Sequence, residues 1–271
     1  MNEQEWKLRE DLCEVAKRLY MAGFMSGSDG NLSTILNTNE VLVTPSRLSK
    51  GFMDPYQIVK VDRNGRKISG DLPPSVETGM HLAAYQERPD ICSVVHCHPP
   101  VSVAFTVAGL SLPSNILPEL ETIFGGSIPV CYYATPGGSD LADSIRSNIR
   151  NPEVSVVLLD HHGLLGVGQD IFQASIRVEH VEAAAKVIMY SRILGGEKPL
   201  PSDSLEKLHS VHGKLVEMES KIYSGYCHSE VCENNNVDEN SRKTSYAGKE
   251  LSESEIDAIV NKVVSGLSIE R

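Results

Sequence analysis

The chain has 271 residues, of which 41% are hydrophobic and 23% charged, enough to bury the core of one large domain plus an extension. Its formal net charge of −11 at pH 7 argues against nucleic-acid and anionic-membrane partners, because both are polyanions. No segment approaches the roughly 20 apolar residues that span a bilayer, and the first residues lack the basic and apolar stretches of a secretion signal, so we expect a cytoplasmic protein.

In chain order, the hydrophobic pattern predicts a mixture of helices and strands. Apolar residues from Trp6 to Leu19 recur at helical spacing and predict a first amphipathic helix, which Gly23 ends. Further helices are predicted over 77–87 and 171–194. Short β-prone runs bounded by turn residues predict strands at 32–36, 41–44, 58–61, 93–98, 127–133 and 154–159. Strands and helices alternate without a strict period, which indicates a mixed α/β sandwich.

The composition changes after about Ser220. The run 233–241 is polar, has little to bury and predicts a flexible linker. Ser252 with Glu255 matches a capping box, and apolar residues then recur at helical spacing. A short helix is marginal alone, which favours docking to a partner; packing on its own domain or oligomer is the alternative. We therefore divide the chain into a domain of residues 1–222, a linker of 223–250 and an amphipathic helix of 251–271.

Two histidines lie two residues apart in the strand predicted at 93–98. His96 and His98 therefore point to the same face, where two buried imidazoles are costly unless something binds them. Zinc is the usual occupant of such an arrangement. A third imidazole follows the strand at 154–159, where either His161 or His162 fits. Three histidines without a fourth protein ligand are typical of catalytic zinc. The alternative is that His96 and His98 are neutral and hydrogen-bonded inside the core.

The remaining polar candidates lie at a helix start and in two loops. Glu77 opens a predicted helix, whose dipole alone accounts for a carboxylate there; an acid/base role requires that it reach the metal site. Ser75 and the free amide groups of the same helix start suit a phosphate. Other groups suited to phosphate oxygens are Gly27, Gly30 and Asn31 in a glycine-rich loop, and Ser46 with Arg47 after a strand. Four histidines on predicted helices indicate surface or packing positions: His81, His180, His209 and His212.

In this order, these segments resemble the class II aldolase/adducin family and, within it, the L-fuculose-1-phosphate aldolases. The matching stretches are 30–33, 43–46, 74–77, 94–98, 133–135 and 158–163. The resemblance implies an α/β/α three-layer sandwich with a mostly antiparallel sheet, assembled as a C4 homotetramer with active sites between subunits. It also implies one Zn²⁺ per subunit on His96, His98 and His162, with Glu77 as the acid/base. The phosphate-binding positions that it implies are Gly30, Asn31, Ser46 and Ser75.

The activity that this resemblance implies is retro-aldol cleavage of a ketose 1-phosphate, such as L-fuculose 1-phosphate. The products would be dihydroxyacetone phosphate and an aldehyde such as lactaldehyde. Alternatives on the same site are a pentulose-phosphate 4-epimerase and a sugar-phosphate dehydratase or decarboxylase. Outside enzymes, an adducin-like structural module is the alternative. Pro99-Pro100 follows the histidine pair where the epimerases usually carry a His-Ser-x-His-Ala-like stretch, and the ligand positions are all filled, which favours the aldolase.

Three residues depart from the pattern of the fuculose-phosphate aldolases. Val76 stands where they commonly carry a second phosphate-binding serine, and Arg47 stands where they carry glycine. The positive charge of Arg47 could compensate for the lost hydroxyl. Glu119 falls where the tyrosine of a neighbouring subunit is expected to protonate the leaving oxygen. We therefore expect Glu119 to take that acid role.

The C-terminal segment has a resemblance of its own. A linker followed by a short, Ile/Val-rich amphipathic helix resembles the encapsulation peptides of bacterial microcompartment cargo enzymes. Aldolases of this class occur in fucose and rhamnose compartments, where a shell confines the reactive aldehyde. The resemblance implies a shell protein as the partner of residues 251–271, and a location inside a bacterial microcompartment.

Overall fold

Eight strands form one sheet in the computed structural model of the protein, which describes residues 1–223. The order across the sheet is β4-β3-β2-β1-β5-β8-β7-β6, and every neighbouring pair is antiparallel except the parallel pair β6 and β7. The strands are β1 Asn31–Ile35, β2 Glu40–Val43, β3 Val59–Asp62, β4 Lys67–Ser69, β5 Ser93–Cys97, β6 Val130–Cys131, β7 Val156–Leu159 and β8 Gly163–Gly168.

Helices cover both faces of this sheet. Their bounds are α1 Glu3–Met21, α2 Thr78–Glu87, α3 Pro100–Val107, α4 Pro118–Phe124, α5 Ser139–Ile149, α6 Ile171–Ile193 and α7 Ser202–Tyr223. Two of the long helices begin at side-chain caps, since Asn2 accepts a hydrogen bond from the Glu5 amide and Asp170 accepts one from the Gln173 amide. No helix within residues 1–223 combines the length and apolar character needed to cross a bilayer.

The core has two parts, one on each face of the sheet. On one face, Leu12 of α1 and Val178 of α6 pack with residues of α3 and α4 against the sheet. On the other, Met80 of α2 and Ile145 of α5 pack against it. The expected α/β/α sandwich with a mostly antiparallel sheet is confirmed. The division of the chain into a domain of 1–222, a linker of 223–250 and a helix of 251–271 stays a prediction, because residues 224–271 lie outside the described part of the chain.

The register of the central strands brings distant polar residues together. Asn31 of β1 is directly opposite His96 of β5, and β5 also pairs with β8, with Cys97 opposite Leu164. A short turn of residues 160–162 joins β7 to β8. His162 therefore precedes β8 at the same end of the sheet at which His98 follows β5.

Candidate metal centre and active site

Three imidazole rings converge at this end of the sheet. The ring centroids of His96, His98 and His162 lie 4.8 to 4.9 Å apart in every pairing. One nitrogen from each ring lies within 4.8 Å of the others. Since zinc–nitrogen bonds are about 2.0–2.1 Å long, this separation suits three ligands of one small cation. The structure therefore brings together the three predicted ligands, whose role in metal binding stays a prediction.

Hydrogen bonding and burial keep His96 and His98 in the uncharged form that binds a cation. His96 Nδ1 donates to the carbonyl oxygen of Leu164 at 2.8 Å, which leaves Nε2 with its lone pair. That Nε2 lies 3.0 Å from Nε2 of His98. Burial lowers the pKa of His96 to about 4 and that of His98 to about 3. At neutral pH both rings are therefore uncharged, which is the form that ligates metal.

Gly163 permits the close approach of the two histidine-bearing segments. A Cβ atom at this position would lie 2.5 Å from the Cys97 carbonyl oxygen, 2.7 Å from His98 Cδ2 and 3.0 Å from His96 Cε1. Real Cβ atoms essentially never come this close to a neighbour. The absence of a side chain thus shapes the space around the three rings.

His161 lies beside the cluster without joining it. Its backbone has φ of 55°, the left-handed conformation that reverses the chain between β7 and β8. Its half-exposed ring bonds to Asp160 Oδ1 at 2.8 Å. Of the two histidines that the spacing allows, His162 is the one that the fold brings to His96 and His98.

The Glu77 carboxylate reaches two of the three histidines, His96 and His162. Its Oε1 lies 3.2 Å from His162 Nε2, and its Oε2 lies 3.4 Å from His96 Nε2 and accepts a 2.7 Å hydrogen bond from Asn31 Nδ2. The side chain is buried and makes no cap to the helix that it precedes. Burial alone raises the pKa of Glu77, but His96, His162 and the Asn31 amide together lower it well below its usual range. The carboxylate is ionised where the histidines converge.

The predicted phosphate-binding segments lie next to one another. Ser75 N donates to the carbonyl oxygen of Thr44 at 3.2 Å, and Ser46 N donates to that of Pro73 at 3.0 Å, so the loops after β2 and before α2 run side by side. Gly30 adopts φ of 73° and packs against the His96 carbonyl. Next to Ser46, the exposed Arg47 has φ of 57°.

Three buried groups near the site were missed by sequence reasoning or assigned only a packing role. Lys50 donates from Nζ to the carbonyl oxygens of Ser28 at 3.0 Å and Leu48 at 2.7 Å, which joins two of the loops. His81 is fully buried and bonds to Asn31 Oδ1 at 2.6 Å. Glu182 of α6 is buried and bonds to the start of α3. No local pattern distinguishes these residues, because each has at least one partner that is remote in the chain.

Glu182 of α6 anchors the segment that follows the histidine pair. Its buried carboxylate accepts hydrogen bonds from the Val101 amide at 3.1 Å and from the amide and hydroxyl of Ser102 at 2.8 Å each. These are the first-turn groups of α3, which begins two residues after His98. A carboxylate from another helix therefore provides the cap that Pro99 cannot supply.

Glu119 does not join the histidine cluster of its own chain. It is exposed in the first turn of α4, and none of the described contacts of the three histidines involves it. The neighbouring Glu121 is buried instead and accepts hydrogen bonds from the Asn115 amide at 2.6 Å and His209 Nε2 at 2.7 Å. The acid role of Glu119 stays a prediction, one that requires a neighbouring subunit.

Comparison with known proteins places this arrangement in a family. Residues 10–189 match the family of the Class II Aldolase and Adducin N-terminal domain. The chain belongs to this family. The predicted membership of the family is therefore confirmed. The predicted resemblance of residues 251–271 to an encapsulation peptide lies outside the described residues and stays a prediction. Members of this class II aldolase family are generally metal-dependent, in keeping with the three converging imidazoles.

Three relatives show the range of chemistry in the family. The chain is 34% identical over 210 residues to 3-oxo-tetronate 4-phosphate decarboxylase of Cupriavidus necator, covering 75% of this chain and 95% of that protein. It is 31% identical to 5-deoxy-D-ribulose 1-phosphate aldolase of Bacillus thuringiensis, covering 74% and 93%. A solved L-fuculose 1-phosphate aldolase superposes with a TM-score of 0.68 at 28% identity, covering 75% of this chain and 95% of that chain. The expectation of an enzyme of this class is confirmed.

Proposed function

We propose that this protein is a zinc-dependent lyase that breaks a carbon–carbon bond beside the carbonyl of a phosphorylated sugar or sugar acid and releases dihydroxyacetone phosphate. One observation carries the proposal: three imidazoles converge, and two of them lie within 3.4 Å of the buried carboxylate of Glu77. A Lewis acid and a proton carrier are the two groups that such a cleavage requires.

The residues that would hold the cation are His96, His98 and His162. Imidazole nitrogens suit zinc, and three of them leave a coordination position for a substrate. When bound, zinc supplies a positive charge that stabilises the negative charge developing on the carbonyl oxygen. Phosphate binding is proposed for Gly30, Asn31, Ser46 and Ser75, whose segments are adjacent. The guanidinium of Arg47 adds the charge that a phosphate dianion favours.

Glu77 performs the proton transfer in this proposal. Cleavage leaves the bonding electron pair on the carbon beside the carbonyl, delocalised as an enediolate. Glu77, ionised in the resting site, takes up a proton from water and gives it to that carbon, and the product is dihydroxyacetone phosphate. In the reverse direction the carboxylate removes the same proton. A positioned acid/base of this kind contributes typically about 10²–10⁴-fold to the rate.

Two substrate classes lead to this same enediolate. A ketose 1-phosphate such as L-fuculose 1-phosphate loses an aldehyde, and the hydroxyl that becomes the aldehyde oxygen gives its proton to an acid/base group that returns it in the reverse direction, the role assigned to Glu119 of a neighbouring subunit. A 3-oxo acid such as 3-oxo-tetronate 4-phosphate loses carbon dioxide and needs no such acid. Decarboxylation is the second candidate function for two reasons. Glu119 stands where a tyrosine is expected, and the chain is 34% identical to a decarboxylase.

A substrate panel tests the proposal and separates the two classes. The full-length, zinc-loaded protein is incubated with the 1-phosphates of L-fuculose, L-rhamnulose, ribulose and 5-deoxy-D-ribulose, and with 3-oxo-tetronate 4-phosphate. Dihydroxyacetone phosphate is detected by coupled reduction, and aldehyde and carbon dioxide are measured in parallel. We expect substrates of one class to release dihydroxyacetone phosphate, and we expect Glu77→Gln to lose this activity. Absence of the product from every substrate would refute the proposal.

Metal analysis tests the proposed cofactor separately. About one zinc per subunit is expected in the purified protein, since three histidines make one site. A chelator should remove both the zinc and the cleavage activity, and added zinc should restore the activity. A stable oligomer without metal would instead favour the adducin-like structural role.

For assembly and location we propose a C4 homotetramer that enters a bacterial microcompartment through residues 251–271. Support comes from the family fold, from the aldehyde product of the ketose reaction and from the apolar spacing of the tail. Fusion of residues 249–271 to a fluorescent protein should direct it into shells. Diffuse fluorescence in shell-forming cells would contradict this assignment, and the same fusion in cells without shells is the control.

A further inference from the structure

A continuous chain of buried hydrogen bonds leads from the core to the proposed acid/base. Tyr85 Oη lies 2.7 Å from Ser33 Oγ, which lies 2.7 Å from His81 Nδ1. His81 Nε2 lies 2.6 Å from Asn31 Oδ1, and Asn31 Nδ2 lies 2.7 Å from Glu77 Oε2. All five residues are buried, with Ser33 and His81 at 0% exposure, so water does not compete for these contacts.

The chemistry of the five groups fixes one direction for these bonds. The amide nitrogen of Asn31 donates to Glu77, so the amide oxygen faces His81. His81 therefore carries its proton on Nε2 and donates to that oxygen. Its Nδ1 then accepts from the Ser33 hydroxyl, which in turn accepts from Tyr85. Every donor points toward Glu77.

The protonation of His81 agrees with this direction. Burial lowers the pKa of His81 to about 4, so the ring is uncharged at neutral pH and has one donor and one acceptor nitrogen. A neutral ring bonded at both nitrogens is held in one tautomer and one orientation. The Asn31 amide is then prevented from rotating by 180°, an exchange that would turn its oxygen toward the Glu77 carboxylate.

We propose that His81 is a positioning residue that holds Asn31, and through it the carboxylate of Glu77, in the orientation for proton transfer to carbon. The inference rests on the proposed function of Glu77. It gives His81 a role beyond filling space in the core. It also leaves the second proton of the Asn31 side-chain amide for a substrate phosphate.

A matched pair of variants tests the role of His81. A Gln side chain reaches the place of Nε2 and can donate to Asn31, whereas an Asn side chain reaches only the place of Nδ1. The full-length, zinc-loaded proteins are compared in the exchange of a carbon-bound proton of dihydroxyacetone phosphate with D₂O, followed by NMR. This exchange isolates the step assigned to Glu77 and is common to both substrate classes.

We expect His81→Gln to retain the exchange rate within a few-fold and His81→Asn to lose at least tenfold in kcat with KM little changed. Equal rates in the two folded variants would overturn the proposal. If the wild type exchanges, Glu77→Gln abolishes the exchange and neither His81 variant changes its rate, the positioning role of His81 is refuted and the proposed function stands. No exchange in the wild type would refute the proposed function itself.

A spectroscopic measurement on the wild type tests the direction of the hydrogen bonds even if a variant fails to fold. In metal-free protein with ¹⁵N-labelled histidine, the His81 ring should show its proton on Nε2 and an unprotonated Nδ1 at neutral pH. Ser33→Ala, which removes the donor to Nδ1 with little loss of volume, should weaken this tautomer preference and slow the exchange. A proton on Nδ1 in the wild type would overturn the direction of the chain.

Discussion

At the scale of single residues, Gly163 sets the width of the space between the histidines. Gly163→Ala introduces a Cβ atom that would overlap Cys97 and the ring of His98, so the two segments must separate. We expect the variant to lose about 1–3 kcal/mol of unfolding free energy, as in other overpacked cores, and about tenfold in zinc affinity. Urea denaturation and competitive zinc titration measure the two effects.

The control for this variant is Gly213→Ala. Gly213 lies in α7, and an added Cβ atom meets nothing within 4 Å. Alanine should be neutral there or stabilise by up to about 1 kcal/mol, since it has the higher helix propensity. Unchanged zinc affinity in Gly163→Ala would show that the close approach of the two segments is unnecessary for binding.

Arg47 occupies a backbone conformation that favours glycine. Its φ of 57° costs an L-residue roughly 1–2 kcal/mol, a cost that glycine does not incur. Arg47→Gly and Arg47→Ala both remove the charge, but only glycine relieves the backbone. We expect the glycine variant to be about 1 kcal/mol more stable than the alanine variant by urea denaturation.

Both Arg47 variants should bind a phosphorylated substrate more weakly. The expected change is a rise in KM with little change in kcat, because the proposed contact of the guanidinium is with the phosphate and not with the breaking bond. Arg47→Lys, which keeps the charge, should fall in between. Wild-type KM values in both neutral variants would remove Arg47 from the phosphate site.

At the scale of elements, Lys50 joins two loops of the proposed phosphate site. Burial lowers its pKa from 10.5 to about 8, so between these values the unfolded chain binds more protons than the folded chain. This group therefore makes the free energy of unfolding rise with pH across that window. In urea denaturation at several pH values between about 8 and 10.5, the unfolding free energy of Lys50→Met should rise less steeply with pH than that of the wild type.

The same variant should raise KM, because the loops carrying Ser28 and Leu48 lose their common anchor. Lys17→Met is the matched control, since Lys17 is exposed on α1. It should leave both the pH slope and KM unchanged. A wild-type slope in Lys50→Met would mean that the buried ammonium does not titrate in this range.

At the scale of the whole molecule, the position of Glu119 requires a partner subunit for its proposed role. Glu77→Gln and Glu119→Gln subunits are therefore co-expressed with different tags, and mixed tetramers are isolated. If each site combines Glu77 of one subunit with Glu119 of the next, random C4 mixing restores intact sites at about one quarter of the positions. Activity of the mixed tetramers on the ketose substrate should approach that fraction of the wild type.

Mixed tetramers no more active than the separate variants would contradict a shared site. A Glu119→Gln enzyme that still releases carbon dioxide from a 3-oxo acid would agree with the second candidate function, in which no acid is required. Zinc content should be unchanged in both variants.

The sequence predicted most of the central strands, but it did not identify β8. The segment Gly163–Gly168 carries three glycines, which are unfavourable in strands by propensity. Gly166 and Gly168 are needed because α6 packs closely on this strand: a Cβ atom at Gly166 would lie 2.6 Å from Val178 Cγ2. The strand predicted at 127–133 is reduced to Val130–Cys131, the part that pairs with β7.

Local pattern alone identified the chemical groups of the candidate site. His96 and His98 stand out by strand spacing, Glu77 and Ser75 by their place at a helix start, and the glycine-rich loop by composition. Such signals lie within a few residues of one another, where chain geometry fixes which side chains share a face. The family follows from their order along the chain, which needs no coordinates.

Only the tertiary structure decided which of these groups meet. It brought His162 and not His161 to the other histidines, through a left-handed turn, and carried Glu77 to the same point. It also gave His81 and Lys50 partners that sequence spacing does not indicate. Contacts between residues far apart in the chain depend on how strands pair and helices pack, and the energy of that packing belongs to the whole fold and not to any local segment.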